Sequence, residues 1–333
     1  MSMVNRFLKL ASPSGTRGRL SVLVFHRVLP GPDPLYPEAM DAARFTEICQ
    51  WVASMFTVLP LEAAVGQMRA GTLPERALAI TFDDGYADNR HVAMPILRSF
   101  GLPATVFVTT GFVDGGCMWN DIVIEGFRRT QRPHVDLQDL LPEAGSNSFP
   151  LGSTLQRRIA LEEVLAAVKY FEVERRLDLV RRIAECLEVK VPTDLMLTSS
   201  EVVELRDGGL QVGAHTVTHP ILAKLSRDKM HDEMQHSKDF LERLLGERVG
   251  MFAYPNGIPG HDYDQRAVAL AREVGFDAAV TTARGAASRR SDPFQIPRFT
   301  PWDRTPLRFG ARMLSTLWTS RRGMPSLAAD QPQ

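Results

Sequence analysis

Short apolar runs alternate with longer amphipathic segments along most of this chain. The runs are almost continuously apolar, as in Val22-Leu23-Val24-Phe25, which is typical of strands buried on both faces of a parallel sheet. Their alternation with helical patterns predicts parallel βα units. The predicted strands are residues 21–28, 77–82, 104–109, 210–214, 250–254, 278–282 and 294–299. The pattern therefore predicts an α/β protein.

Helical patterns occupy most of the intervals between these runs. The predicted helices are residues 42–55, 61–68, 228–245, 265–274 and 307–319. A long insertion, from about residue 117 to about residue 200, separates the third and fourth predicted strands, and a charged helical pattern covers residues 160–187. We expect a short N-terminal extension over residues 1–18, and a disordered tail after the last helix.

Composition narrows the class of protein. The chain has 333 residues, of which 44% are apolar and 23% charged, and its 39 basic and 39 acidic residues balance, so no net field favours nucleic acid or an anionic membrane. A local charged patch stays open. Cys49, Cys117 and Cys186 are too scattered to predict a disulfide framework. Arg6 and Lys9 interrupt the apolar N-terminal segment, so we expect no secretory signal and no integral membrane segment, and a cytoplasmic protein that could act at the inner membrane face.

Two predicted strands end in residues that commonly bind metals. Residues 80–86, Ile-Thr-Phe-Asp-Asp-Gly-Tyr, end in Asp83 and Asp84, and residues 212–220, Val-Gly-Ala-His-Thr-Val-Thr-His-Pro, contain His215 and His219. An Asp pair alone more often caps a helix or meets solvent. With 8 histidines in 333 residues, a chance pair at this spacing is expected about 0.2 times. Two imidazoles share a face if the turn is helical, and together with one carboxylate they would make a metal site with open positions for water.

The segments Thr81-Phe82-Asp83-Asp84-Gly85-Tyr86 and His215-Thr216-Val217-Thr218-His219 resemble the first two motifs of the polysaccharide deacetylases, carbohydrate esterase family 4 or NodB homology domain. The resemblance implies a distorted (β/α)7 barrel over residues 19–303 that carries the helical insertion and removes acetyl groups from N-acetylated sugars. It also implies that Asp84, His215 and His219 hold a divalent metal and that Asp83 is the general base. Zinc is the expected metal, with Co²⁺, Ni²⁺ or Mn²⁺ as alternatives.

The third motif of that family is altered in this chain. It usually supplies an Arg that orients the base, followed by a turn whose backbone N–H binds the oxyanion. Residues 252–257 read Phe-Ala-Tyr-Pro-Asn-Gly, so the turn of Tyr254, Pro255 and Asn256 is present, but Ala253 occupies the place of the Arg. Arg298, at the end of the last predicted strand, either supplies the missing charge or is a surface residue.

The general acid also departs from the usual order. The family places its acid His near the C-terminus, but the last histidine of this chain is His261. The candidates are His26 and His261. Because His26 ends the first strand, the arrangement resembles the circularly permuted poly-N-acetylglucosamine deacetylases, in which the last strand has moved to the front and carries the acid. We therefore predict His26 as the acid.

Substrate contacts are predicted from aromatic and polar residues that follow strand ends. Tyr86 follows the Asp pair, and Trp119 with Asp121 could form a sugar platform, although a buried Trp that packs the insertion fits equally well. The expected function is deacetylation of an N-acetylated saccharide in a polysaccharide or its precursor, in association with polysaccharide assembly machinery. The alternatives are a hydrolase of a lipid-linked N-acyl sugar or other amide, and a non-catalytic carbohydrate-binding homologue.

Overall fold

The computed structural model describes residues 2–141, 147–169, 171 and 173–319. The chain forms two compact units. The first contains the residues up to Pro30, Asp41–Val113 and the chain from Leu197 onward, and the second contains Gly31–Met40 and Asp114–Met196. The strands are β1 (Arg19–Phe25), β2 (Thr57–Val58), β3 (Ala77–Phe82), β4 (Thr105–Val108), β5 (His134–Asp136), β6 (Ser148–Pro150), β7 (Gln211–Ala214), β8 (Met251–Ala253), β9 (Ala278–Val280) and β10 (Ala287–Ser288). The predicted insertion falls on the second unit.

The sheet of the first unit is almost entirely parallel. Its order is β10-β1-β3-β4-β7-β8-β9, with β2 parallel to β3 and only β10 antiparallel to its neighbour β1. Near-continuous apolar strands of this kind are expected when helices cover one face and the barrel interior fills the other.

The segment 296–299 joins the two ends of this sheet. Phe299 exchanges backbone hydrogen bonds with Val22 and Val24 of β1, while Ile296 bonds to Ala279 and Thr281 beside β9. The predicted strand 294–299 is therefore replaced by isolated bridges rather than a continuous ladder, because Pro297 has no N–H to donate. With this segment, seven parallel elements close a distorted (β/α)7 barrel.

Alternate residues of the barrel elements form one buried apolar cluster. Its members include Leu20, Val22, Ala77, Ala79, Phe107, Met251, Ala253, Ala278, Val280 and Ile296. Because side chains alternate along a strand, His26 after β1, Asp83 after β3 and Arg298 after Ile296 have the same parity as the residues of this cluster. The barrel thus gathers chemically active side chains at the carboxyl ends of its strands, beyond the last apolar layer.

Eleven α-helices are present among the described residues. They are α1 (Ser2–Ala11), α2 (Ala42–Met55), α3 (Leu61–Ala70), α4 (Met94–Ser99), α5 (Trp119–Arg129), α6 (Thr154–Val168), α7 (Val173–Cys186), α8 (Ser199–Asp207), α9 (Arg227–Leu245), α10 (Gln265–Glu273) and α11 (Pro306–Thr319). Caps locate several of them: the side chains of Asp41, Ser226 and Asp264 accept backbone N–H groups at the starts of α2, α9 and α10. No helix of the described residues is long and apolar enough to cross a membrane.

Two expectations about the helices need correction. The N-terminal extension contains the helix α1, which the sequence pattern did not predict. Residues 160–187 are not one helix, because α6 ends at Val168 and α7 begins at Val173. Both helices contribute buried residues to the apolar core of the second unit, so the chain must turn back between them for both to pack. The predicted disordered tail, residues 320–333, lies outside the described residues.

Candidate active site

Asp83 and Asp84 follow β3 directly, at the mouth of the barrel. Both are buried, with 3% and 6% of their surfaces exposed. Asp84 has a left-handed backbone (φ 76°), as does Gly85 (φ 81°), where an added Cβ would lie 3.2 Å from the Val108 side chain. A non-glycine residue in this conformation is costly and is kept where function requires it. The sharp turn brings two consecutive carboxylates to one site.

The loop after β7 carries the two histidines. It is irregular rather than helical, and Thr216 (φ 66°) and His219 (φ 56°) both have left-handed backbones. These turns, rather than helical spacing, bring the His215 and His219 rings to within 4.9 Å of each other, centre to centre. The two rings are therefore paired, although the turn between them is not helical.

Asp84, His215 and His219 form a cluster that fits a metal ion. Their ligand atoms lie within 4.8 Å of one another, and Asp84 Oδ1 is 3.4 Å from His215 Nε2 and 3.5 Å from His219 Nε2. That carboxylate oxygen is buried and has no hydrogen-bond partner among the described residues. His215 Nδ1 lies 2.8 Å from the Ala253 carbonyl, so it carries the proton and leaves the Nε2 lone pair facing the carboxylate. The Asp84 oxygen and His215 Nε2 are thus acceptors that face each other with His219 Nε2 beside them, an arrangement that fits a cation.

Electrostatics favour a cation at the same point. Burial raises the pKa of Asp84, but the neighbouring histidines outweigh burial and hold that pKa well below its usual range. Burial lowers the pKa of His219 to about 4, which favours the neutral imidazole that a metal requires. Burial also lowers the pKa of His215, yet the carboxylates of Asp84 and Asp83 outweigh it and raise the pKa overall. The carboxylates thus attract positive charge toward the imidazoles.

Asp83 is held by Arg298. The guanidinium Nη1 and Nη2 donate to Asp83 Oδ1 and Oδ2, each at 2.6 Å, in a bidentate pair. Arg298 also donates to the Thr81 hydroxyl at 3.2 Å and to the Thr281 carbonyl at 3.0 Å, and it is 1% exposed. The alternative that Arg298 is a surface residue is wrong. Burial raises the pKa of Asp83, but Arg298 outweighs burial and lowers it, so the carboxylate stays ionised.

The place of the usual motif Arg is filled by a small core residue. Ala253 is fully buried in the barrel cluster, and its carbonyl accepts the Nδ1 proton of His215. The Ala253 position therefore contributes to the metal cluster through its backbone. The positive charge beside Asp83 comes from Arg298, on a different barrel element.

The predicted oxyanion turn is present, but the side chain of Tyr254 in it is too buried to contact a substrate. Asn256 is exposed and has a left-handed backbone (φ 58°). Its carbonyl accepts a hydrogen bond from Thr282 Oγ1, whereas its N–H has no hydrogen-bond partner among the described residues. Pro255 precedes it and is buried. Tyr254 is fully buried and stacks on Tyr263 at 4.1 Å, so its ring is not a substrate contact. Its expected role is corrected for that reason.

His26 stands near the two carboxylates. It is exposed, and its charge is among those that lower the pKa of Asp83 and of Asp84. His261 is 70% exposed at its side chain, bonds to its neighbour Asp262 and is not among the charges acting on either carboxylate. Of the two candidates for the acid, only His26 is thus placed with the base and the cluster.

The remaining predicted substrate contacts are less accessible than expected. Tyr86 is only 4% exposed, and the Arg27 guanidinium lies 4.9 Å from the centre of its ring. The expectation that the face of this ring contacts substrate is therefore wrong. Trp119 and Asp121 belong to α5 of the second unit, where Arg176 lies 4.7 Å over the Trp119 ring and Asp121 is 3% exposed. Their part in substrate binding stays a prediction.

Three supporting residues were missed from the sequence. Glu233 of α9 accepts the backbone N–H groups of Val217 and Thr218, both at 2.8 Å, and the Thr218 hydroxyl at 2.6 Å, which fixes the loop between the histidines. Asn89 donates to the carbonyl of His26 at 2.8 Å, and Asp88 accepts the N–H of Val28 at 3.0 Å. Only the closeness of Asp88 and Asn89 to the Asp pair could have indicated them. Nothing in the sequence distinguishes Glu233 from the other acids of α9.

Comparison with known proteins identifies the family of this chain. The sequence model of the polysaccharide deacetylase family matches residues 70–142 and 161–279, more than half of the chain. YxkH of Bacillus subtilis (strain 168) is 20% identical over 282 residues, which cover 84% of this chain and 70% of YxkH.

Two solved structures share the fold. The Streptococcus pyogenes deacetylase PplD, in complex with acetate, superposes with a TM-score of 0.58 at 20% identity and covers 90% of this chain and 98% of its own. IcaB from Ammonifex degensii superposes with a TM-score of 0.56 at 17% identity and covers 92% and 98%. The chain belongs to the polysaccharide deacetylase family and is a hydrolase of non-peptide carbon–nitrogen bonds.

Proposed function

We propose that this protein is a metal-dependent deacetylase that hydrolyses the acetamido group of N-acetylated sugars in a polysaccharide or its precursor. The observation that carries the proposal is the metal-compatible cluster of Asp84, His215 and His219 beside the buried Asp83–Arg298 pair. A carbohydrate-binding module has no use for a buried ionised carboxylate next to such a cluster, since burying charge costs several kcal/mol per ion. The non-catalytic alternative is therefore disfavoured.

Each residue has a distinct part in the proposed reaction. A divalent ion held by Asp84, His215 and His219 would polarise the amide carbonyl and acidify water. Asp83 takes a proton from the attacking water, and the bidentate contact with Arg298 keeps Asp83 ionised and fixed in orientation.

The other steps concern the oxyanion and the leaving amine. The unused N–H of Asn256 is a donor for the developing oxyanion. His26 delivers a proton to the sugar amine, because an unprotonated amine anion is a very poor leaving group.

Zinc suits the cluster best among the metals expected. Its donors are two imidazoles and one carboxylate, a set that zinc takes in catalytic sites, where a position stays open for water. We infer zinc, with Co²⁺, Ni²⁺ and Mn²⁺ as the ions to compare.

The substrate and its location are also proposals. The family acts on polysaccharides, so we propose an N-acetylated saccharide, met in the cytoplasm at the inner face of the membrane during polysaccharide assembly. A lipid-linked N-acyl sugar is the alternative substrate at the same site.

The direct test combines metal analysis with an assay of acetate release. Purified protein is expected to hold one divalent metal per chain, to release acetate from one or more of a panel of N-acetylated saccharides, and to lose activity on chelation and regain it with zinc. His215→Ala and His219→Ala should lose the metal. Stoichiometric metal at unchanged affinity in either variant would contradict the ligand assignment.

A further inference from the structure

Large apolar side chains are exposed on two neighbouring helices of the first unit. Among the described residues nine large apolar side chains are strongly exposed, and five of them lie on α1 and α11: Met3 (70%), Phe7 (48%), Leu10 (70%), Leu307 (68%) and Trp318 (59%). A sixth, Trp302 (60%), precedes α11 by a few residues. A cluster of exposed apolar residues of this kind marks an interaction surface, whereas single ones are normal.

Each of the two helices has a stripe of apolar residues on its exposed face. Met3, Phe7 and Leu10 have the i, i+4, i+7 spacing of one helix face, while Leu8 and Ala11 of α1 are buried. On α11, Leu307 and Trp318 are eleven residues apart, close to three turns, and therefore share a face. Phe309, Met313 and Leu317 of α11 are buried on the other side. Both helices thus have one apolar face in the core and a second one exposed.

The two helices lie against each other. A Cβ added to Gly310 of α11 would come within 2.6 Å of Val4 Cγ1 of α1, so only glycine permits this close approach. The two outward stripes therefore lie on helices that pack side by side, and we call the exposed residues of these two helices the α1/α11 face.

The charge of the α1/α11 face is positive, although the whole chain is neutral. The two helices contain Arg6, Lys9, Arg308 and Arg312 and no acidic residue. Lys9 is paired with Glu75 and Arg312 with Asp303, while Arg6 and Arg308 have no ion pair among the described residues.

A basic cavity lies at the end of α1. It has a volume of about 470 Å³, begins beside Ala11, the last residue of α1, and is lined by Arg17, Arg19, Arg289 and Arg290. The basic character of α1 and α11 thus continues past the end of α1.

We propose that the α1/α11 face docks the protein on an anionic lipid bilayer. At 1.5 Å per residue, helices of 10 and 14 residues are about 15 and 21 Å long, too short to span a hydrocarbon core of about 30 Å. Short amphipathic helices with aromatic and Leu residues on one face and basic residues beside it lie in the plane of the interface. A second copy of the chain is the less favourable occupant, because a two-fold contact would place two basic faces against each other.

Docking would also bring the reaction to the membrane. Trp302 and, on α11, Arg312, Ser315 and Thr316 line a cavity of about 590 Å³ whose wall also contains Arg298, the partner of Asp83. A bilayer that contacts Trp302 would therefore lie beside this cavity. The docking face itself does not depend on the proposed activity.

The test is co-sedimentation with vesicles of mixed phosphatidylglycerol and phosphatidylcholine, compared with pure phosphatidylcholine. We expect binding to the anionic vesicles that weakens by about tenfold or more in pure phosphatidylcholine or at about 1 M salt, where the Debye length is about 3 Å. Phe7→Ser combined with Leu10→Ser should lower the partition coefficient by about tenfold or more. The matched control is Leu155→Ser, which removes an equally exposed Leu (67%) from α6 of the second unit.

A second pair of variants tests the charge and guards against misfolding. Arg6→Glu combined with Arg308→Glu should weaken binding to anionic vesicles without changing the melting temperature, whereas Arg243→Glu on α9 should leave binding unchanged. The proposal is overturned if the wild-type protein stays in the supernatant with anionic vesicles, or if both double variants bind as the wild type does. A stable dimer in sedimentation velocity that Phe7→Ser/Leu10→Ser dissociates, without vesicle binding, would also overturn it.

Discussion

The metal cluster and the Asp83–Arg298 pair lie at the same end of the barrel but are assembled differently. The cluster takes its three ligands from two short segments, each directly after a strand of the central sheet. The pair joins residues that are 215 positions apart, and it forms only because the segment 296–299 closes the barrel between β9 and β1. The geometry of the Asp84, His215 and His219 cluster is therefore encoded locally, whereas the environment of Asp83 depends on barrel closure.

The buried carboxylate of Asp83 requires a cation at one place in the barrel, but that cation need not come from one particular position in the chain. A buried carboxylate needs a cation within hydrogen-bond reach, since its desolvation is otherwise uncompensated. Ala253 and Arg298 both occupy inward positions at the mouth of the barrel, so an Arg on either element could satisfy Asp83. In this chain the Arg is on the closing segment, and the Ala253 carbonyl fixes the His215 tautomer instead.

The largest effect is expected from His26, the other residue that reaches the site from outside the local motifs. His26→Ala should lower turnover of the amide substrate by about 10² to 10⁴ and leave the metal content unchanged, because the proton for the leaving amine is lost. Acetate release and bound metal are measured side by side. An activated aryl acetate ester, whose leaving group needs no proton, serves as the control and should lose much less.

Equal losses on amide and ester would instead give His26 a structural role. A large selective loss in His261→Ala would transfer the acid to that residue, despite its 70% exposure and its bond to Asp262.

The next effect concerns the Asp83–Arg298 pair. Arg298→Met should lower the free energy of unfolding by about 3–5 kcal/mol, because it leaves the Asp83 charge buried and unpaired. Adding Asp83→Asn should recover much of that stability but no activity, and Asp83→Asn alone should reduce turnover by about 100-fold or more. Urea denaturation of the wild type, the two single variants and the double variant measures the coupling. Additive single effects would show that the two residues do not act as a pair.

The sequence pattern predicted the α/β class and most elements of the sheet, because these elements have clear local signals, whereas the (β/α)7 barrel was implied by the family resemblance. Residues 77–82 and 42–55 match β3 and α2 at both ends, since a continuous apolar run and an Asp cap mark them. The cluster of Asp84, His215 and His219 was also predictable, since strand ends converge in a parallel barrel. The sequence could not predict the left-handed backbones of Asp84, Thr216 and His219, which aim these side chains.

The sequence left two alternatives for Arg298, which either supplies the charge beside Asp83 or is a surface residue. Arg298 follows Pro297, and nothing in that local pattern states whether the guanidinium turns inward or outward. Barrel closure decides this, because Arg298 has the inward parity of Ile296. The burial of Tyr254 and Tyr86 was missed for a similar reason, since a polar aromatic residue after a strand fits either a binding surface or the core.

A smaller effect is expected from Glu233, which supports the loop between His215 and His219. Glu233→Ala should raise the dissociation constant of the metal by about tenfold, because the loop that carries His219 loses three hydrogen bonds. Glu233→Gln keeps acceptor and shape and should lie between the wild type and Ala. Asp232→Ala, which removes a 62% exposed carboxylate from the adjacent position of α9, is the matched control. Metal affinity is read by competition with a chromogenic chelator, and an unchanged value in Glu233→Ala would remove Glu233 from the support of the site.

The smallest effect concerns the support of His26. Asn89 is fully buried and donates to the His26 carbonyl at 2.8 Å, while its neighbour Asp88 bonds to Val28 and Arg27. Asn89→Ala leaves that carbonyl without its partner, which costs about 1–3 kcal/mol if the group stays buried or lets the residue shift toward water. We expect amide turnover to fall by about three- to tenfold, with metal content intact and with little change on the aryl acetate. Asn89→Ala leaves Asp84, His215 and His219 untouched. A parallel loss of metal in this variant would show that the cluster and His26 share one support, and the cluster would then not be locally encoded.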